Sequence, residues 1–104
     1  MRVYLILQKQ LEEMHSDKRI ISYSIQRMDQ KRWIPIFEVK SEDGKTISCS
    51  LRVQSGEGVR TWADLRLLAE WLKNDFYVNK LELFLDDPDF SFPDGDNNAD
   101  DRCS

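Results

Sequence analysis

The spacing of apolar residues changes repeatedly along this chain, and each change suggests an element. Val3, Leu7, Leu11 and Met14 share one stripe of a helical wheel whose other positions carry Gln8, Lys9, Glu12 and Glu13, which predicts a helix over 3–14. The opening run RVYLIL, taken alone, also reads as the start of a strand. HSDKR at 15–19 breaks the pattern, and the period then becomes two. Ile21, Tyr23 and Ile25 alternate with Ser22, Ser24 and Gln26, as in a half-buried strand. MDQKR at 28–32 suits a hairpin connection, WIPIFEV at 33–39 a second strand, and SEDGK at 41–45 a turn. Ile47, Cys49, Leu51 and Val53 alternate with Ser48, Ser50 and Arg52 in a third strand.

QSGEGVR then leads into a second helical stripe of Trp62, Leu65, Leu68 and Leu72, widened by Leu67 and Trp71. Thr61 is a candidate N-cap, with Asp64 three residues on in the manner of a capping box, and Asn74 and Asp75 close the helix. Leu81, Leu83 and Leu85 alternate in a fourth short strand. The expected order is α-β-β-β-α-β. That is an α+β fold with an antiparallel three- to four-stranded sheet and two helices on one face. Residues 1–85 make a single domain. Residues 86–104, with two Pro, seven Asp and few aliphatic residues, read as an acidic, disordered tail.

Charge sharpens that division. The chain's net charge of −4 combines a balance of +2 over residues 1–85 with −6 over residues 86–104. The globular part is therefore nearly neutral, which argues against a strongly basic nucleic-acid binder and against an acidic mimic. No apolar run approaches the ~20 residues that span a bilayer. The first residues have neither the h-region nor the cleavage site of a secretory signal, so a cytoplasmic protein is expected. Cys49 falls on the apolar side of a strand and Cys103 in the tail, which points to free thiols rather than a disulfide.

Catalytic chemistry finds little support. His15 is the single histidine, set among charged residues, and neither cysteine has a partner that marks a thiol enzyme. No cofactor or metal is expected. Asp94, Asp96, Asn98 and Asp100 imitate the first ligands of a calcium loop, but Ala99 replaces the glycine and the bidentate acid is missing. Phe90 and Phe92 form a candidate docking motif in the tail. GEG lacks the lysine and spacing of a nucleotide loop, leaving Arg60 beside a helix start as a generic anion contact. Lys18, Arg19, Arg27, Lys31 and Arg32, with Trp33 beside them, form a basic group around the first strand and its turn. With Arg60 they are the candidate binding surface, open to nucleic acid, to an acidic partner, or to the chain's own tail.

Pro35, Phe37 and Val39, followed by Gly44 and Lys45 and then by SGEG with Arg60, resemble the double-stranded RNA-binding domain. That family runs α-β-β-β-α, with a Pro-x-Phe-x-Val-like strand and a glycine-bearing loop before its last helix. The resemblance spans residues 3–74. The family's lysine cluster is replaced here by VRTWADLR, and its minor-groove loop by DQKRW. It therefore implies a scaffold that has turned from RNA to protein contact or dimerisation. The function expected is a non-catalytic binding or regulatory module that contacts another protein or a second copy of itself. The alternative is nucleic-acid binding through the hairpin cluster and Arg60, held in check by the acidic tail.

Overall fold

Val3–Ile6 forms a strand, β1, where the helical stripe had predicted a first helical turn. Its residues alternate between two covered faces. Val3 and Leu5 are buried on one side, while Tyr4 and Ile6 are half-buried and pack against the main core on the other. A strand covered on both faces reads as an unbroken apolar run, so its period of two is invisible in the sequence. The computed structural model describes residues 2–56, 58–88 and 90. After β1 come α1 (Gln8–Ser16), β2 (Ile20–Asp29), β3 (Arg32–Lys40), β4 (Thr46–Leu51), α2 (Leu65–Phe76) and β5 (Glu82–Phe84).

The five strands form one sheet in the order β1-β4-β3-β2-β5. β2, β3 and β4 make the antiparallel meander, but β1 runs parallel to β4 and β5 parallel to β2. The expected antiparallel α-β-β-β-α-β layout is therefore corrected to a mixed sheet with the order β-α-β-β-β-α-β. The physical reason lies in the connections. Tight turns join only antiparallel neighbours, whereas each outer strand is separated from its partner by at least one helix, which permits parallel pairing.

Both helices lie on one face. Leu11 of α1 and Leu68, Leu72 and Phe76 of α2 close over Ile25, Phe37, Val39, Cys49 and Leu51. Phe37 sits at the centre, fully buried, with Tyr23 edge-on at 5.8 Å and Phe76 at 5.7 Å. α2 starts later than the sequence suggests. Asp64, not Thr61, is its N-cap, its carboxylate accepting from the Arg66 N–H at 2.8 Å. The helix passes Asn74 and Asp75 and ends at Tyr77, whose left-handed φ of 58° stops it. The opposite face of the sheet has a smaller cluster of Val3, Ile34 and Ile36, against which Met28, Val59 and Phe90 pack. Phe90 thus lies against the sheet, while residues 91–104, with Phe92, Cys103 and the calcium-like acids, lie outside the described residues.

Pro35 shapes the middle of the sheet. It is fully buried in β3 and pairs with Ile25 of β2 on one side. Towards β4 it has no N–H to donate. Ladder pairing between β3 and β4 runs from Lys40–Thr46 to Phe37–Cys49 and goes no further. The Pro35 carbonyl is satisfied instead by the hydroxyl of fully buried Ser50, which donates at 2.6 Å. Beyond this point the two strands part, and Val59–Trp62 enters the gap. Arg60 N–H donates to Leu51 O at 2.7 Å, and Trp33 and Trp62 exchange backbone bonds of 2.9 and 2.8 Å.

Cys49 is enclosed by this core, and burial pushes its thiol up to about 11. In the unfolded chain the same thiol ionises near 9.0, so between these values only the unfolded state releases the proton. The thiol's contribution to stability is thus fully present below pH 9.0 and is lost as pH rises through about 11. In a Cys103→Ser background, native protein at pH 8 is expected to resist a disulfide-exchange reagent and to release one equivalent on denaturation. Rapid native reaction would show that Cys49 is accessible.

Candidate binding cleft beside the first helix

Arg52 and Val53 extend β4 into a small β-ribbon whose return side is Gly58 and Val59. Arg52 pairs with Val59, and Val53 N–H donates to Gly58 O at 2.9 Å. Its inner end meets the start of α1, because Arg52 N–H donates to Ile6 O at 2.8 Å. The carboxyl ends of the parallel strands β1 and β4 therefore open onto one place, beside the first turn of the helix that follows β1. Crevices at such strand ends are where open parallel sheets commonly hold ligands.

A half-open cleft of about 400 Å³ lies there, lined by Gln8, Leu51, Arg52, Val53, Gln54 and Arg60. Arg60 is held on three sides. Its backbone is tied to Leu51, its guanidinium lies 4.4 Å from the Trp62 ring centroid and 5.8 Å from that of Trp71, and its Nη1 donates to Gln8 Oε1 at 2.9 Å. Gln8 is itself oriented, since its Nε2 donates to Glu12 Oε2 at 3.0 Å. Trp62 and Trp71 lie 5.2 Å apart and form a rigid apolar seat under the cation. Arg52 differs: its Nε is enclosed and has no acceptor among the described residues. Among the described residues no carboxylate lines the cleft, and neither arginine forms a salt bridge.

The basic residues named from the sequence are spread along β2 and its ends. Lys18 occupies a left-handed position (φ 59°) after α1, and Arg19 Nε donates to Lys40 O at 2.8 Å near the start of β2. At the far end, Lys31 lies in the β2–β3 turn and Arg32 opens β3, its Nε reaching Asp29 at 2.7 Å. Lys31 N–H also donates to Asp29, and these two contacts hold the Asp29 carboxyl below its ordinary range. Arg27 Nη1 donates to Leu85 O at 3.3 Å. Trp33 is half-buried against the main core beside Trp62. Arg60 lies beside the start of α1 and is stacked on Trp62, the neighbour of Trp33.

Three residues joined with Arg60 were missed by sequence reading. Arg52 falls on the polar side of the β4 alternation and Gln8 on the polar side of the supposed helix, so neither was distinguished from a solvated position. Gln54 looked like ordinary loop. Only proximity across the β1–β4 pair unites them. Elsewhere, β5 is an outer strand whose Leu83 and Phe84 are exposed at 44 and 46%, followed by Leu85 at 56%. Among the described residues no group of three or more His, Cys, Asp or Glu side chains is arranged to hold a metal ion, and no helix is long and apolar enough to cross a membrane. No protein-family model, curated protein or solved structure matches the chain, so its geometry alone directs the functional reading.

Proposed function

We propose that the chain is a non-catalytic binding module that acts through protein contact, and that a second copy of itself pairs with β5. The observation that carries this reading is the outer edge of that strand. Among the described residues only β2 pairs with it, and Leu83 and Phe84 in the strand and Leu85 just after it stand exposed. Open apolar edges favour strand addition. The segment is also complementary to itself. In an antiparallel pair centred on Leu83, Leu83 faces its own copy, Leu81 faces Leu85, and Lys80 faces Asp86. Opposite charges facing across strands contribute roughly 0.2–1 kcal/mol per pair, and like charges oppose pairing.

The basic residues support protein contact over a nucleic-acid backbone. Lys18 and Arg19 are separated from Lys31 and Arg32 by the length of β2, about 30 Å at ~3.3 Å per residue. Recognition of a phosphate backbone draws on several cations along one track. His15, the one histidine, lies edge-on to Phe76 at 5.0 Å, a packing role that supports the non-catalytic reading.

Light scattering after size exclusion is expected to show a mass that rises with concentration from one protomer to two. Lys80→Asp alone, or Asp86→Lys alone, should push that rise to higher concentration, and the two together should restore it. Leu83→Lys, which sets like charges against each other on the axis, should leave a monomer. A mass of one protomer at every concentration, or a double swap that restores nothing, would falsify the β5 pairing.

A further inference from the structure

We infer that the cleft between Arg52 and Arg60 is a binding site for one compact oxyanion, a carboxylate or phosphate group. The site lies at the β1–β4 side of the sheet, across the molecule from β5, and does not depend on the pairing proposed there. Among the described residues four polar side chains line it, and the two charged ones are both guanidinium groups. A guanidinium offers its Nε–H and an Nη–H as a fork that matches two oxygens of a carboxylate or phosphate. In Arg52 the Nε end of that fork is withdrawn from solvent and has no acceptor among the described residues. A buried donor in that state costs about 1–3 kcal/mol, and it reaches an acceptor in the cleft once the Arg52 side chain turns outward.

Arg60 is preorganised for the same purpose. The Trp62 ring and Gln8 Oε1 fix its position before any ligand arrives, so little side-chain freedom remains to be lost on binding. The start of α1 adds to this field. Its N-cap, Leu7, has no side-chain oxygen to offer the opening N–H groups of the helix. Size and charge set the ligand class. Two cations in about 400 Å³ suit a single anionic group, not the repeating phosphates of a nucleic acid. Val53, half-buried at the cleft, adds apolar contact for the carbon skeleton of a ligand that bears the anion.

The test is calorimetric titration of the full-length protein with inorganic phosphate, with succinate, and with an N-acetylated tri-aspartate peptide, each at low and high chloride. Fluorescence of Trp62 and Trp71, which lie beneath Arg60, gives a second readout at the site. Saturable binding that weakens with chloride is expected for at least one probe. Saturation by phosphate or succinate identifies a free small anion as the source, and saturation by the peptide alone identifies an acidic protein segment. Arg52→Gln and Arg60→Gln should each weaken binding by about tenfold or more, as loss of a charge-assisted contact does. Gln54→Glu guards against a folding artefact, because it changes only an exposed ribbon residue and brings a negative charge to the cleft. It should reduce binding to a similar degree with the thermal midpoint of the ligand-free protein unchanged. Absence of saturable binding by all three probes would overturn the assignment, as would equal affinities in wild type and Gln54→Glu.

Discussion

Phe37→Ala is expected to lower the free energy of unfolding by about 3–5 kcal/mol, the usual cost of removing a buried aromatic ring. The ring is fully buried and touches both layers of the fold, with Tyr23 beside it in the sheet and Phe76 above it in α2. Its loss leaves a cavity that neither backbone can close. For a domain of this size the total is about 5–15 kcal/mol, so much of the stability would go at once. Denaturant unfolding checks this: the midpoint should fall sharply while the slope is retained. Leu67→Ala is the matched control, since Leu67 is 58% exposed on α2, and its effect should stay within about 0.5 kcal/mol. Equal losses for both variants would show that the core is not organised around Phe37.

The second large effect is expected from a single hydroxyl. Ser50→Ala removes the donor that satisfies the Pro35 carbonyl at 2.6 Å, in a place that is fully buried. An orphaned acceptor of this kind costs about 1–3 kcal/mol. Ser48→Ala, two residues earlier on the same strand, removes no side-chain hydrogen bond among the described residues and should change stability little. Hydrogen exchange adds a local reading. The Arg60 and Trp62 amides, which bond across the gap below Pro35, should lose more protection in Ser50→Ala than the Val39 amide in the intact part of β3. If the two serine variants unfold at the same denaturant concentration, the hydroxyl is not what holds the split sheet together.

Much of the fold was legible where one face of an element is wet. Leu68 and Leu72 recur at helical spacing because α2 covers only one sheet face, and β2 and β4 alternate in residue type even though Gln26 and Ser50 on their polar side are buried and Ile21 is exposed. Legibility failed where both faces are covered. Val3 to Ile6 is apolar throughout, so the residues matched a helical stripe by coincidence with Leu7 and Leu11. Trp62 was likewise counted into the helical stripe, whereas it bridges Trp33 before the helix begins. Parallel pairing was not legible at all, because nothing local in Val3 or Glu82 names Ser48 or Ser24 as its partner. The cleft shares this limit. Arg60 could be singled out from its place before a helix, but Arg52 and Gln8 join it only once β1 lies beside β4.

The parallel outer strands also bear on how the chain reaches this state. β2, β3 and β4 meet through short turns, and a meander of that kind forms from contacts close in sequence, at little cost in loop entropy. β1 must instead find β4 across the whole meander, and β5 must find β2 after α2 has crossed the sheet. Both margins therefore belong to the late part of the folding route. The cleft depends on the β1 margin and the open edge on the β5 margin, so both proposed contact surfaces come into being last, and neither is available to a partner while the chain is still a meander.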